Sequence, residues 1–138
     1  MSCNSAIYAA NTMEQPLIAT EATVVNFGSV VRRFGPALVL SGGNVSVNQR
    51  GFYSVDVNLC INIPAATSAD ITVQLYKDGA PIPGAYAKVT TAQTATFDQV
   101  TIPFIIREKC CCENSITCVV TSTEAGTIVN AAIEVVKI

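Results

Sequence analysis

The sequence contains no histidine, which removes the commonest general base and the commonest metal-binding side chain together. A nucleophile relay built on an imidazole is therefore excluded. Tryptophan is absent too, and charged residues make up only 13% of the 138 positions. Eight Lys and Arg against ten Asp and Glu give a formal net charge of -2. That balance lacks the basic footprint of a nucleic-acid-binding chain, so no nucleic-acid partner is expected. No run of 18 apolar residues occurs, as a membrane-crossing helix would need. The opening Met-Ser-Cys-Asn-Ser has no basic segment followed by an apolar core, so the expectation is cytoplasmic synthesis without a secretory signal.

What is present is apolar. Half of the residues are hydrophobic, and a chain of this length buries about two-thirds of its unfolded surface as one domain. With so few charges, a single copy would expose much neutral or apolar surface. Large patches of that kind mark interfaces, which favours an oligomer.

The longest unbroken alternation runs from Gly51 to Pro64. Tyr53, Val55, Val57, Leu59, Ile61 and Ile63 fall on one side of a two-residue period, and Phe52, Ser54, Asp56, Asn58, Cys60 and Asn62 on the other. A helix would scatter both sets, so the stretch reads as a strand with one dry face that needs a second sheet opposite. Proline at 64 stops it, because it cannot donate to a continuing ladder.

Other strands are predicted over 5–10, 22–34 with Gly28 as a bend, 37–40, 45–48, 71–76, 85–91, 94–107, 116–122 and 127–138. In the last, Val129, Ala131, Ile133 and Val135 are expected to share a direction. Turns fall at Gly42-Gly43-Asn44 and Asp78-Gly79, where residues tolerating positive φ cluster. Pro103 marks its strand as an edge or a bulged one. Eight to ten strands and no helix indicate an all-β sandwich or jelly roll. Residues 1–21 read as an N-terminal arm or a first strand, ahead of a jelly-roll domain over 22–138.

Three short motifs sharpen this reading: Gly51-Phe52-Tyr53-Ser54-Val55, the upstream turn and strand Ser41-Gly42-Gly43-Asn44-Val45-Ser46-Val47, and Leu75-Tyr76-Lys77-Asp78-Gly79. Together with a closing strand that runs to Ile138, they resemble the complement-globular-head and tumour-necrosis-factor superfamily of trimeric jelly rolls. The texture is similar to the short phage decoration or head-fibre forms and to bacterial spore-surface forms. The resemblance implies a homotrimeric jelly-roll β-sandwich of antiparallel strands that sits on a larger assembly. Its partners would be copies of itself and a capsid, fibre or spore-surface protein. The final location implied is a virion surface, with the spore surface or exosporium as the alternative.

Six cysteines stand out: Cys3, Cys60, Cys118 and the triplet Cys110, Cys111 and Cys112. Adjacent cysteines lack the two- to four-residue spacing of zinc ligands, and no metal or cofactor is expected. Two readings of the triplet stay open: a plain loop with free thiols, or crosslinking and disulfide formation between subunits involving Cys3, Cys110, Cys111 and Cys112. Cys118 reads as a buried, inert thiol. The flanking Glu108 and Glu113 read as a solvated loop face. Arg32 and Arg33 are candidates for an inter-subunit contact or for an edge charge that discourages strand pairing. Tyr8, Tyr76 and Tyr86 are candidates for a subunit interface or for stacking on a glycan. No enzyme is expected, since no residue set supplies nucleophile, base and acid together.

Overall fold

The computed structural model describes residues 5–64, 68–91, 96–108 and 114–138, and within them the chain forms twelve strands and no helix. β7, Gly51–Ile63, is the central strand, and its two neighbours are β10, Thr96–Glu108, and β12, Gly126–Lys137. β1, Ala6–Asn11, and β4, Ser29–Phe34, extend that sheet in the order β10-β7-β12-β1-β4, with the short β2, Gln15–Leu17, also pairing β12. The second sheet runs β5-β6-β11-β8-β9, comprising Leu38–Ser41, Asn44–Val47, Asn114–Ser122, Asp70–Lys77 and Ala80–Thr90, with β3, Ala22–Val24, against β11. Every pairing is antiparallel. The two sheets face each other as a jelly-roll sandwich, and residues 6–11 stand inside the first sheet between β12 and β4.

The alternation along β7 is realised residue by residue. Tyr53, Val55, Val57, Leu59, Ile61 and Ile63 are all buried, while the intervening side chains point outward. Opposite them lie Ile71, Val73 and Leu75 of β8 and Ile116, Cys118 and Val120 of β11. Tyr53 can be buried because its hydroxyl donates to the Gln49 carbonyl at 2.7 Å. Burial first, and the neighbouring Glu108 carboxylate second, push the Tyr53 hydroxyl above its ordinary pKa.

Two hairpins have the geometry their sequences require. Asp78 and Gly79 both have positive φ, 54° and 79°, and join Lys77 to Ala80 across β8 and β9. Gly42 and Gly43, at 60° and 81°, do the same between β5 and β6. A two-residue loop with both φ positive matches the right-handed twist of the flanking strands.

Three ladders depart from the simple alternation, the first being β1–β4, whose register shifts between Tyr8 and Ala9. In β12 the ladder to β7 shifts between Ile128 and Asn130, so Ile128 turns inward and Val129 is only half-buried. The expected inward Val129 is thus corrected by a β-bulge, whose extra residue reverses the facing of everything before it. In β9 the pairing jumps from Gln74↔Tyr86 to Tyr76↔Pro81, leaving 82–85 looped out. The Gln74 carboxamide crosses this bulge, donating to the carbonyls of Ile82 at 3.1 Å and Ala85 at 3.2 Å.

Cys118 lies fully buried in β11, and desolvation pushes its thiol up to about 12. Two outcomes follow. Ile61→Ala, in the middle of the packed face, lowers unfolding free energy in urea by about 2–5 kcal/mol. Alkylation mapped by peptide mass spectrometry between pH 7 and 10 leaves Cys118 unmodified in the folded chain, whereas a denatured sample is labelled at a rate that climbs with thiolate fraction.

Candidate functional site

The inner faces of both sheets are taken up by the core, which leaves the outer faces, the edges and the loops for function. The two outer faces differ in chemistry. On the second sheet, β8 presents Thr72, Gln74 and Tyr76, β11 presents Thr117, Val119 and Thr121, and β9 presents Tyr86, Lys88 and Thr90. These are mostly small polar groups. Lys88 and Asp70 form an exposed ion pair at 3.9 Å, of little energetic weight.

The outer face of the first sheet is graded from apolar to polar. Direct partners in an antiparallel ladder share a face, so the registers give its rows from β10 across to β4. One row reads Ile105, Ser54, Val136, Ala6, Phe34. The next reads Pro103, Asp56, Glu134, Tyr8, Arg32. Beyond it come Thr101, Asn58 and Ala132, then Gln99, Cys60 and Asn130. Phe34 is 66% exposed and Ile105 64%, large values for such side chains. Phe52, 53% exposed, extends the apolar end, with the Arg107 guanidinium over its ring at 5.8 Å.

Three concavities lie on this face. A shallow groove of about 600 Å³ runs between β1 and β4 and is lined by Ala6, Tyr8, Arg32, Phe34, Glu134 and Val136, among others. A depression of about 160 Å³ lies over Asp56, Asn58, Tyr8 and Glu134, and another of about 250 Å³ over Cys60, Gln99 and Asn130. Such shallow dips on a broad ladder suit contact with another surface. They lack the enclosure that buries most of a small ligand.

The residues singled out in the sequence are distributed unevenly. Tyr8 and Arg32 sit side by side on the outer face of the first sheet. Arg33 points the other way, and its Nε donates to the Leu38 carbonyl at 2.7 Å, tying the edge strand β4 to β5 of the opposite sheet. Tyr76, half-buried, and Tyr86, exposed, share the outer face of the second sheet, away from Tyr8. Cys3, Cys110, Cys111, Cys112 and Glu113 lie outside the described residues. Among the described residues Cys60 and Cys118 are free thiols.

Glu108 is not on a solvated loop face. It is 3% exposed, and its Oε2 lies 3.4 Å from Lys77 Nζ, which also donates to the Arg107 carbonyl at 2.9 Å. The end of β10 is thereby pinned to the end of β8 by a charge that burial would otherwise disfavour. Asp56, Glu134 and the apolar row Phe34-Val136-Ile105 were not picked out from sequence as a unit, because their adjacency depends on which strands pair. The alternation on β7 placed Asp56 outward, and nothing in the linear order placed Glu134 beside it.

A scan against known protein families finds no match to this sequence, and no curated protein matches it. Solved structures do. Murine APRIL superposes with a TM-score of 0.67 at 14% identity, over 98% of this chain and 99% of that one. PRD1 vertex protein P5 superposes with a TM-score of 0.68 at 12% identity, over 100% of this chain and 99% of that one. Identities this low speak to architecture alone, and the described residues share the jelly-roll fold of these two structures.

Proposed function

We propose that this chain is a non-enzymatic structural module that assembles with copies of itself, as a homotrimer, and decorates the surface of a virion. The observation that carries the reading is the outer face of the first sheet. A ladder five strands wide leaves Phe34, Ile105 and Phe52 exposed and Val136 half-buried, although the sandwich already has a closed core. A contiguous apolar face on a folded domain is the usual mark of a protein contact. The fold-level likeness to a vertex protein of PRD1 supports the virion placement, and the sequence resemblance to trimeric jelly rolls supports the stoichiometry. The absence of histidine agrees with a role that needs no proton transfer.

Magnitudes limit what the apolar row alone can do. Covering a fully exposed large side chain is worth roughly 1.5–3 kcal/mol, and these are already partly covered. Association costs on the order of 4–15 kcal/mol in lost freedom before any net affinity appears. The apolar row therefore supplies a large share of the driving force and requires specific contacts beside it.

Light scattering coupled to size exclusion at tens of micromolar is expected to give three times the 14.5 kDa chain mass. Phe34→Asp combined with Ile105→Asp is expected to reduce it to the single-chain mass, with an unchanged β-sheet circular dichroism spectrum. A wild-type chain that stays single under those conditions overturns the self-assembly. Quantitative mass spectrometry of purified particles from producing cells is expected to find the chain at a fixed ratio to the capsid protein. Its recovery solely in the particle-free supernatant overturns the virion placement.

A further inference from the structure

We propose that Asp56 and Glu134 form a receptor for a guanidinium of a second copy of this chain, and that Arg32 of the neighbouring copy enters it. The proposal rests on the self-assembly read above and names the contact that would fix its geometry.

Asp56 and Glu134 are direct partners across β7 and β12, so their carboxylates leave the sheet on the same side from Cβ atoms about 5 Å apart. Like charges in that relation destabilise a ladder. Among the described residues neither carboxylate takes part in an ion pair or a side-chain hydrogen bond, and neither does Arg32. Glu134 and Arg32 are exposed and Asp56 is half-buried, and these three charges on one row are left without an ion-pair partner in the isolated chain. The 160 Å³ depression lies over the acidic pair, with Ala132 too short to fill it and Tyr8 and Asn58 beside it.

The order along the row supplies the complementarity. From β7 to β4 it runs Asp56, Glu134, Tyr8, Arg32, two negative groups at one end and a positive one at the other. Tyr8 stands between Glu134 and Arg32 within one chain. Between two chains nothing does: a neighbour placed with its β4 edge over the β7–β12 seam brings its Arg32 onto the acidic pair. A guanidinium, with five donors in a planar fork, can engage two adjacent carboxylates at once, which an ammonium cannot match in geometry. The row lies immediately beside Ile105, Val136 and Phe34, so docking that covers those side chains also removes water from the charge pair and strengthens it. The charges select orientation, and the apolar row holds it.

The test is a charge inversion read by sedimentation velocity over a concentration series, with circular dichroism confirming the fold of each variant. Arg32→Glu alone, and Asp56→Lys with Glu134→Lys, are each expected to raise the concentration at half-assembly at least tenfold. Arg32→Lys is expected to weaken assembly less than Arg32→Glu. The triple inversion, Arg32→Glu with Asp56→Lys and Glu134→Lys, is expected to restore assembly to within a few-fold of wild type, which general damage to the surface could not produce. A wild-type chain that assembles while the single-site inversions assemble equally well, or a triple inversion that stays dissociated, overturns this contact and leaves self-assembly standing. A wild-type chain that never assembles overturns both.

Discussion

The structure depends on one strand being saturated on three of its four sides. β7 is hydrogen-bonded along one margin to β10 over the whole of its length and along the other to β12, and its inner face is covered by the second sheet. Six buried side chains on a single strand form the floor on which the opposite sheet packs. Once those three sides are committed, the outward row from Phe52 to Asn62 is the only surface of β7 left to vary. The chemistry found there is accordingly the part of the strand least explained by folding.

The contrast between the two outer faces has the same origin. Both sheets bury their inner sides equally well, yet the second presents threonine, glutamine and lysine to water, and the first presents a row containing Phe34, Val136 and Ile105 beside unpaired charges. A domain that needed only to fold and stay dissolved would have no use for the second arrangement. The edges differ as well. Pro103 on β10 and Pro81 and Pro83 on β9 remove donors from the margins on one side of the sandwich, and such edges resist a further strand. On the opposite side β4 carries no proline, and every one of its six residues is exposed.

Much of this was legible in the linear order, and the limits are instructive. The period on β7, the Asp78-Gly79 and Gly42-Gly43 turns and the edge position of the proline-bearing strand could all be read directly, because each depends on residues within a few positions of one another. Bulges could not. Val129 in β12 and the looped-out 82–85 in β9 are decided by what the partner strand offers, and one extra residue inverts a facing pattern without leaving a compositional trace. Glu108 was read as solvated because it stands beside a charged, cysteine-rich stretch; it is buried beside Lys77, thirty-one positions earlier, a contact from one sheet to the other that exists only once the two sheets face each other. The outer apolar row was invisible for the same reason, since Phe34, Ala6, Val136, Ser54 and Ile105 line up only after five strands from distant parts of the chain are in register.

The placement of β12 between β7 and β1 has a consequence for how the molecule comes into being. A ribosome delivers β1 first and β7 near the middle of synthesis, but the strand that joins them is delivered after all the others. Until it emerges, the two halves of the first sheet have no shared ladder, and the apolar side chains of both wait without cover. Completion must then occur by insertion of a late strand between two early ones, a non-local closure of the kind that folds in milliseconds to seconds rather than microseconds. Chains of this architecture are consequently most vulnerable to mispairing with one another while β12 has yet to join the sheet.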